Sequence, residues 1–221
     1  MGAIIKSTIA TILFIVMVEL STLWIFIPKL LKIENFYLYY VLIQGLCQLL
    51  LVVLFTWLTK RKKISEYCRT EKSKWYLIAV VSGSLFIIIQ SPLKWIYNLI
   101  FGTDYYIEYH FDGLVELMDI NVLSTILFIP IAEELFFRGC IQEELQKKLK
   151  IWIAIIIASI FFALIHAPYL YLFWSEYIPE WHSFYLTLFG GLISGIIYYK
   201  SESIIPSIIF HVFWNLGVVI V

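Results

Sequence analysis

Three ionisable side chains stand where an apolar helix has no ordinary use for them. Glu133, Glu134 and Arg138 lie in or just beyond a stretch that is free of other charge from Ile120 to Phe137. Each costs about 2.5–3.5 kcal/mol near the middle of a membrane helix, so three uncompensated ones approach the whole stability of a small domain. They must be paired or used. Glu134 and Arg138 are four residues apart and share a helix face, which permits an internal ion pair. Glu133 is turned about 100° away and has no partner on its own helix. The spacing predicts two roles: Glu134 with Arg138 as a structural pair, and Glu133 as a carboxylate facing another element.

Two later apolar segments carry further polar groups, Phe162 to His166 and His211 to Asn215. His211 and Asn215 are four residues apart and project from one face. Each of these groups needs a polar partner in hydrocarbon, and helix bundles satisfy such groups by bringing facing helices together. A glutamate and a histidine beside one water make a general base with an orienting partner, which supports hydrolysis. His211 and the Asn215 amide would then supply two donors for an oxyanion. The same residue types allow an alternative, in which Glu133, His166 and His211 bind a divalent metal such as zinc. Ligand identity leaves both open.

Other intramembrane chemistries lack their motifs. The chain has no HExxH and no GxGD, and the Gly191 to Gly195 segment has one residue too many for GxSG. Gly190, Gly191, Ser194 and Gly195 are read as a small-residue surface for close helix packing. A second acidic doublet, Glu143 and Glu144, is followed by Lys147 and Lys148 and is read as a solvated helix face with weak ion pairs.

The elements that position these groups follow from composition. Of 221 residues, 62% are hydrophobic and 14% charged, more apolar surface than one soluble core needs. About 20 apolar residues cross a bilayer as helix, and runs of that order fall near 8–27, 36–58, 76–98, 120–142, 151–168, 184–199 and 204–221. The expected fold is an all-α, multi-spanning transmembrane bundle of about seven helices. Ser91-Pro92 is expected to kink or end the third span. Basic residues between Lys60 and Lys74 mark a cytoplasmic loop and hence a cytoplasmic N-terminus, and the acidic, base-free segments 101–119 and 169–183 agree, against Lys29 and Lys32. The first run is too long for a signal peptide and is read as a retained span. Lys6 stands where a myristoylation signal wants Ser or Thr. Cys47, Cys68 and Cys140 form neither a disulfide framework nor a thiolate metal site. A net charge of zero suggests neither nucleic acid nor a strongly charged partner, and no nucleic acid is expected.

The ordered set EExxxR (Glu133, Glu134, Arg138), FxxxH (Phe162, His166) and HxxxN (His211, Asn215) resembles the CPBP family, also called Abi. That family includes CAAX prenyl endopeptidases and bacteriocin-processing or self-immunity proteins. The resemblance covers about residues 118–219 and divides the chain into N-terminal membrane helices over 1–117 and a catalytic core over 118–221. It implies an intramembrane endopeptidase in which Glu133 and His166 activate water and His211 with Asn215 stabilise the oxyanion. Glu134, Arg138 and Phe162 would support the site. The expected partners are the lipid bilayer and a peptide or lipidated protein substrate, and the expected location is a bacterial plasma membrane. The alternative from another class is a bacteriocin-immunity or peptide-binding protein without proteolysis. One geometric conflict stands: with these span edges Glu133 and His211 lie ~20 Å from the outer face but His166 only ~8 Å, so the fifth helix must tilt or begin outside the membrane.

Overall fold

The computed structural model describes residues 2–23, 39–59, 68, 72–104, 119–167 and 181–220, with side chains described only to Val18 in the first helix. Among these residues every regular element is helical. We number them α1 Gly2–Leu23, α2 Tyr40–Thr59, α3 Lys74–Phe101, α4 Ile120–Gln146, α5 Ile151–Leu164, α6 His182–Ser201 and α7 Ile204–Ile220. Seven helices in the expected order make an all-α bundle. Three of them, α2, α3 and α4, are long and apolar enough to cross a membrane. Leu50, Leu58, Leu77, Ile88 and Leu99 each leave about two thirds of their surface uncovered, as side chains facing lipid do. The segments on which the sidedness expectation rests, 60–74, 101–119 and 169–183, fall largely outside the described residues, as do Lys29 and Lys32.

α4 stands at the centre and touches α1, α2, α5, α6 and α7. Its start is organised by side chains: Asp119 accepts from the Asn121 backbone N–H at 2.8 Å, and Asn121 Oδ1 accepts from the Leu42 N–H at 3.1 Å, capping an orphan donor of α2. On one flank Phe14 of α1 stacks on Phe136 at 4.4 Å and meets Phe137 edge-on at 5.4 Å.

Pro92 does not end the third helix, which runs through it for 28 residues. The loss of one intrahelical hydrogen bond is tolerated because α3 is held along its length by α7. The two helices approach closely at glycines. A Cβ on Gly83 would lie 2.5 Å from the Phe210 carbonyl oxygen and 2.9 Å from Phe213 Cβ. One turn on, Phe86 packs on Phe210 and Trp214.

The conflict of depths disappears because the expected edge of the fourth span at residue 142 is wrong. α4 continues to Gln146 before the turn into α5. Counted from that turn, Glu133 is ~20 Å up α4 and His166 ~22 Å up α5, so no unusual tilt is needed. In the turn between α6 and α7, Ser201, Ser203 and Ile204 are at most 1% exposed, while Glu202 reaches the surface and pairs with Lys72. The turn's buried polar groups are satisfied locally, Ser201 Oγ donating to the Ser203 carbonyl at 2.9 Å. His211, seven residues into α7, meets both glutamates of α4.

Gly83→Ala is expected to separate α3 from α7 and destabilise the protein by about 1–3 kcal/mol. Gly2→Ala, where a Cβ meets nothing within 4 Å, is expected to be neutral. Thermal unfolding of both variants in detergent checks the contrast.

Candidate active site

The interior of α4 is not a regular α-helix. Ser124–Phe128 and Leu135–Gln142 are wound as π-helix, and between them lies an α turn, Ile129–Glu134, that carries both glutamates. Wide turns of this kind rotate later side chains round the helix axis and leave carbonyls without their usual donors. The carbonyl of Thr125 is one of these. The residue five positions on, which would serve it in π register, is Pro130, and proline has no N–H. The Asn215 amide of α7 supplies the missing donor, Nδ2 donating to the Thr125 oxygen at 2.8 Å.

Glu134 and Arg138 form the expected pair: Arg138 Nε donates to Glu134 Oε2 at 3.0 Å, and both side chains are fully buried. Their role is wider than a structural pair, because the other carboxylate oxygen, Oε1, lies 3.1 Å from His211 Nδ1. His211 Nε2 faces Glu133 Oε2 at 3.8 Å. The imidazole of His211 therefore stands between the two carboxylates. Glu133 makes no hydrogen bond among the described residues, and its only close polar neighbour is that ring. This matches a carboxylate left unpaired on its own helix and turned towards another.

Phe162 is the pivot between the histidines. Its ring meets His166 edge-on at 5.3 Å and His211 edge-on at 5.6 Å, while the Arg138 guanidinium carbon sits 5.3 Å from its centroid. On the other side of His211 the Trp214 ring is stacked at 5.3 Å, and Trp214 fits only because residue 190 is glycine. His166 belongs to the cluster through Phe162 and does not touch either glutamate directly. Its Nε2 is buried and without a hydrogen-bond partner among the described residues.

Two groups were not singled out for the site by motif spacing. Ser194, read as packing, donates to Glu134 Oε2 at 2.6 Å and accepts from Arg138 Nε at 3.3 Å. Trp214, within the His211 to Asn215 segment, stacks on His211 and is marked by no motif spacing. The glycines around Ser194 do allow close packing: a Cβ on Gly191 would press on Phe162 Cδ1 at 3.1 Å, and one on Gly195 on Gln142 Oε1 at 2.9 Å. The second acidic doublet behaves as a surface feature, with Lys147 pairing Glu144 at 3.2 Å, three residues away instead of four.

The residues considered for a metal do not fit one as arranged. Among the described residues no group of three His, Cys, Asp or Glu side chains is placed to hold a metal ion, and His166 and His211 each meet the Phe162 ring edge-on.

The described residues form a bundle of apolar helices, three of them long and apolar enough to cross a membrane, around a buried cluster of carboxylates and imidazoles. Residues 116–217, a little under half of the chain, match the family described as type II CAAX prenyl endopeptidase Rce1-like, as the three motifs led us to expect. That is a family of CAAX-type membrane proteases, hydrolases of peptide bonds. No curated protein and no solved structure matched the chain.

Removing one partner of a buried pair strands the other charge. Arg138→Met is therefore expected to destabilise the protein by about 3–5 kcal/mol, and Arg138→Met with Glu134→Gln together by less than Arg138→Met alone. Thermal unfolding in detergent, read beside membrane accumulation, tests the order.

Proposed function

We propose that this protein is an intramembrane endopeptidase that hydrolyses a peptide bond in a membrane-associated peptide or protein precursor. The observation that carries the reading is Glu133: a buried carboxylate with no hydrogen bond among the described residues, held 3.8 Å from an imidazole whose other nitrogen is tied to Glu134. In this mechanism Glu133 takes a proton from water as the water attacks the scissile carbonyl carbon, and His166 Nε2 orients that water. The oxyanion accepts from His211 Nε2–H and from the second amide hydrogen of Asn215, whose first is committed to Thr125. Glu133 then passes its proton to the leaving amine.

The match to a CAAX-type protease family and the order of the three motifs support this reading. The substrate class we favour is a bacterial peptide precursor or membrane protein, with the chain in the plasma membrane and its N-terminus cytoplasmic. The basic residues between Lys60 and Lys74 support that orientation.

Glu133→Gln keeps the shape of the side chain and removes the base. A survey of peptide ends in membrane and secreted fractions is expected to show new ends with the wild type and none with Glu133→Gln. Identical ends from two equally abundant, folded proteins would overturn proteolysis in favour of an immunity or peptide-binding role.

A further inference from the structure

Ser194 lies outside the three motifs, on the helix between the two that carry histidines, yet it makes the shortest side-chain hydrogen bond in the site. We propose that Ser194 is a positioning residue, whose hydroxyl locks the Glu134 carboxylate and through it the His211 ring that faces Glu133. Its Oγ donates to Glu134 Oε2 at 2.6 Å while Arg138 Nε reaches the same oxygen at 3.0 Å and Ser194 Oγ at 3.3 Å. These three groups close a triangle. With Oε2 held from two directions, the carboxylate keeps little freedom to rotate, and Oε1 stays 3.1 Å from His211 Nδ1. An acceptor fixed there requires a hydrogen on Nδ1 and sets the plane of the ring.

Ser194 is itself placed from two sides. Gly191 and Gly195 flank it, and the close approach they allow brings α6 against Phe162 of α5 and Gln142 of α4. Gln142 Nε2 donates to the Gly195 carbonyl at 2.9 Å, which fixes the height of α6 on α4. The Ser194 carbonyl accepts from Ser207 Oγ at 3.1 Å, and Ser207 is one helical turn before His211. One residue of α6 therefore joins the carboxylate of α4 to the helix that carries the imidazole. Alanine would keep the carbonyl bond to Ser207 but lose the hydroxyl bonds to Glu134 and Arg138, which a residue needed only for small size does not require.

The test separates position from packing, and its spectroscopic arm does not depend on the peptidase reading, on which the kinetic arm rests. The chain has four histidines, so ring-15N labelling of the full protein in detergent, assigned with a His211 variant, reports each imidazole. In the wild type His211 is expected to show a hydrogen held on Nδ1. In Ser194→Ala the His211 signals are expected to move or broaden, and Ser194→Thr to restore them. Against any substrate found by the peptide-end survey, Ser194→Ala is expected to lower kcat about tenfold with KM nearly unchanged, the loss expected for one hydrogen bond to a charged group. Ser194→Cys, which keeps the volume and weakens the donor, takes the place of Ser194→Ala if the latter does not accumulate. Unchanged His211 signals in the folded alanine or cysteine variant would overturn the proposal and leave Ser194 a packing residue. Absence of any wild-type cleavage would count against the peptidase reading alone.

Discussion

A fully buried carboxylate at Glu134 has to be satisfied within the protein, and the helices that satisfy it are the ones that build the site. Arg138 answers from the same helix, Ser194 from α6 and His211 from α7. Removing two charges from water costs several kcal/mol each, so such a pair survives only when its remaining hydrogen-bonding capacity is met. That requirement draws three helices to one point. Glu133, the next residue, is carried to the same place and turned by one helical step so that it meets only the far side of the His211 ring. A strongly satisfied carboxylate thus stands beside a weakly satisfied one.

The irregular winding of α4 serves the same end. An ideal helix would use all its carbonyls internally and offer α7 nothing polar to hold. With π turns on both sides of Ile129–Glu134 and a proline where an N–H is wanted, the Thr125 carbonyl is left free, and Asn215 takes it. This bond fixes the outer side of α7 while Glu134 fixes His211 one turn away. The aromatic rings finish the cage: Phe162 edge-on and Trp214 stacked leave the imidazole little room to turn. Glycines at 190 and 191 are the steric condition for that cage, since a methyl group would collide with Trp214 at the first and press on Phe162 at the second.

Much of the fold was legible because the bilayer reads sequence in a simple way. Runs of about 20 apolar residues predicted seven helices, and the described residues form seven in the same order. Span edges were less legible. Hydropathy falls at Gln142 and Glu143, so the fourth span was cut short, whereas hydrogen bonding carries the helix on to Gln146. Those four residues separated a puzzling difference in depth from a level site. Pro92 marked an expected interruption that did not end the helix, because proline weakens local bonding while the packing of α7 along α3 is tertiary.

The sequence by itself determined which groups had to find partners: charges and imidazoles in apolar helices carry a penalty that depends only on their chemistry and surroundings. It also determined that Glu134 could reach Arg138 and that Glu133 could not, since helical spacing alone decides this. Only the tertiary structure decided that His211 stands between the two glutamates, that Phe162 meets both histidines, and that Ser194 and the Thr125 carbonyl complete the network. Those outcomes depend on the relative height and rotation of α4, α5, α6 and α7. Helix rotation is set by glycine contacts and π turns far apart in the chain, and neither leaves a periodic trace in the residues that carry the chemistry.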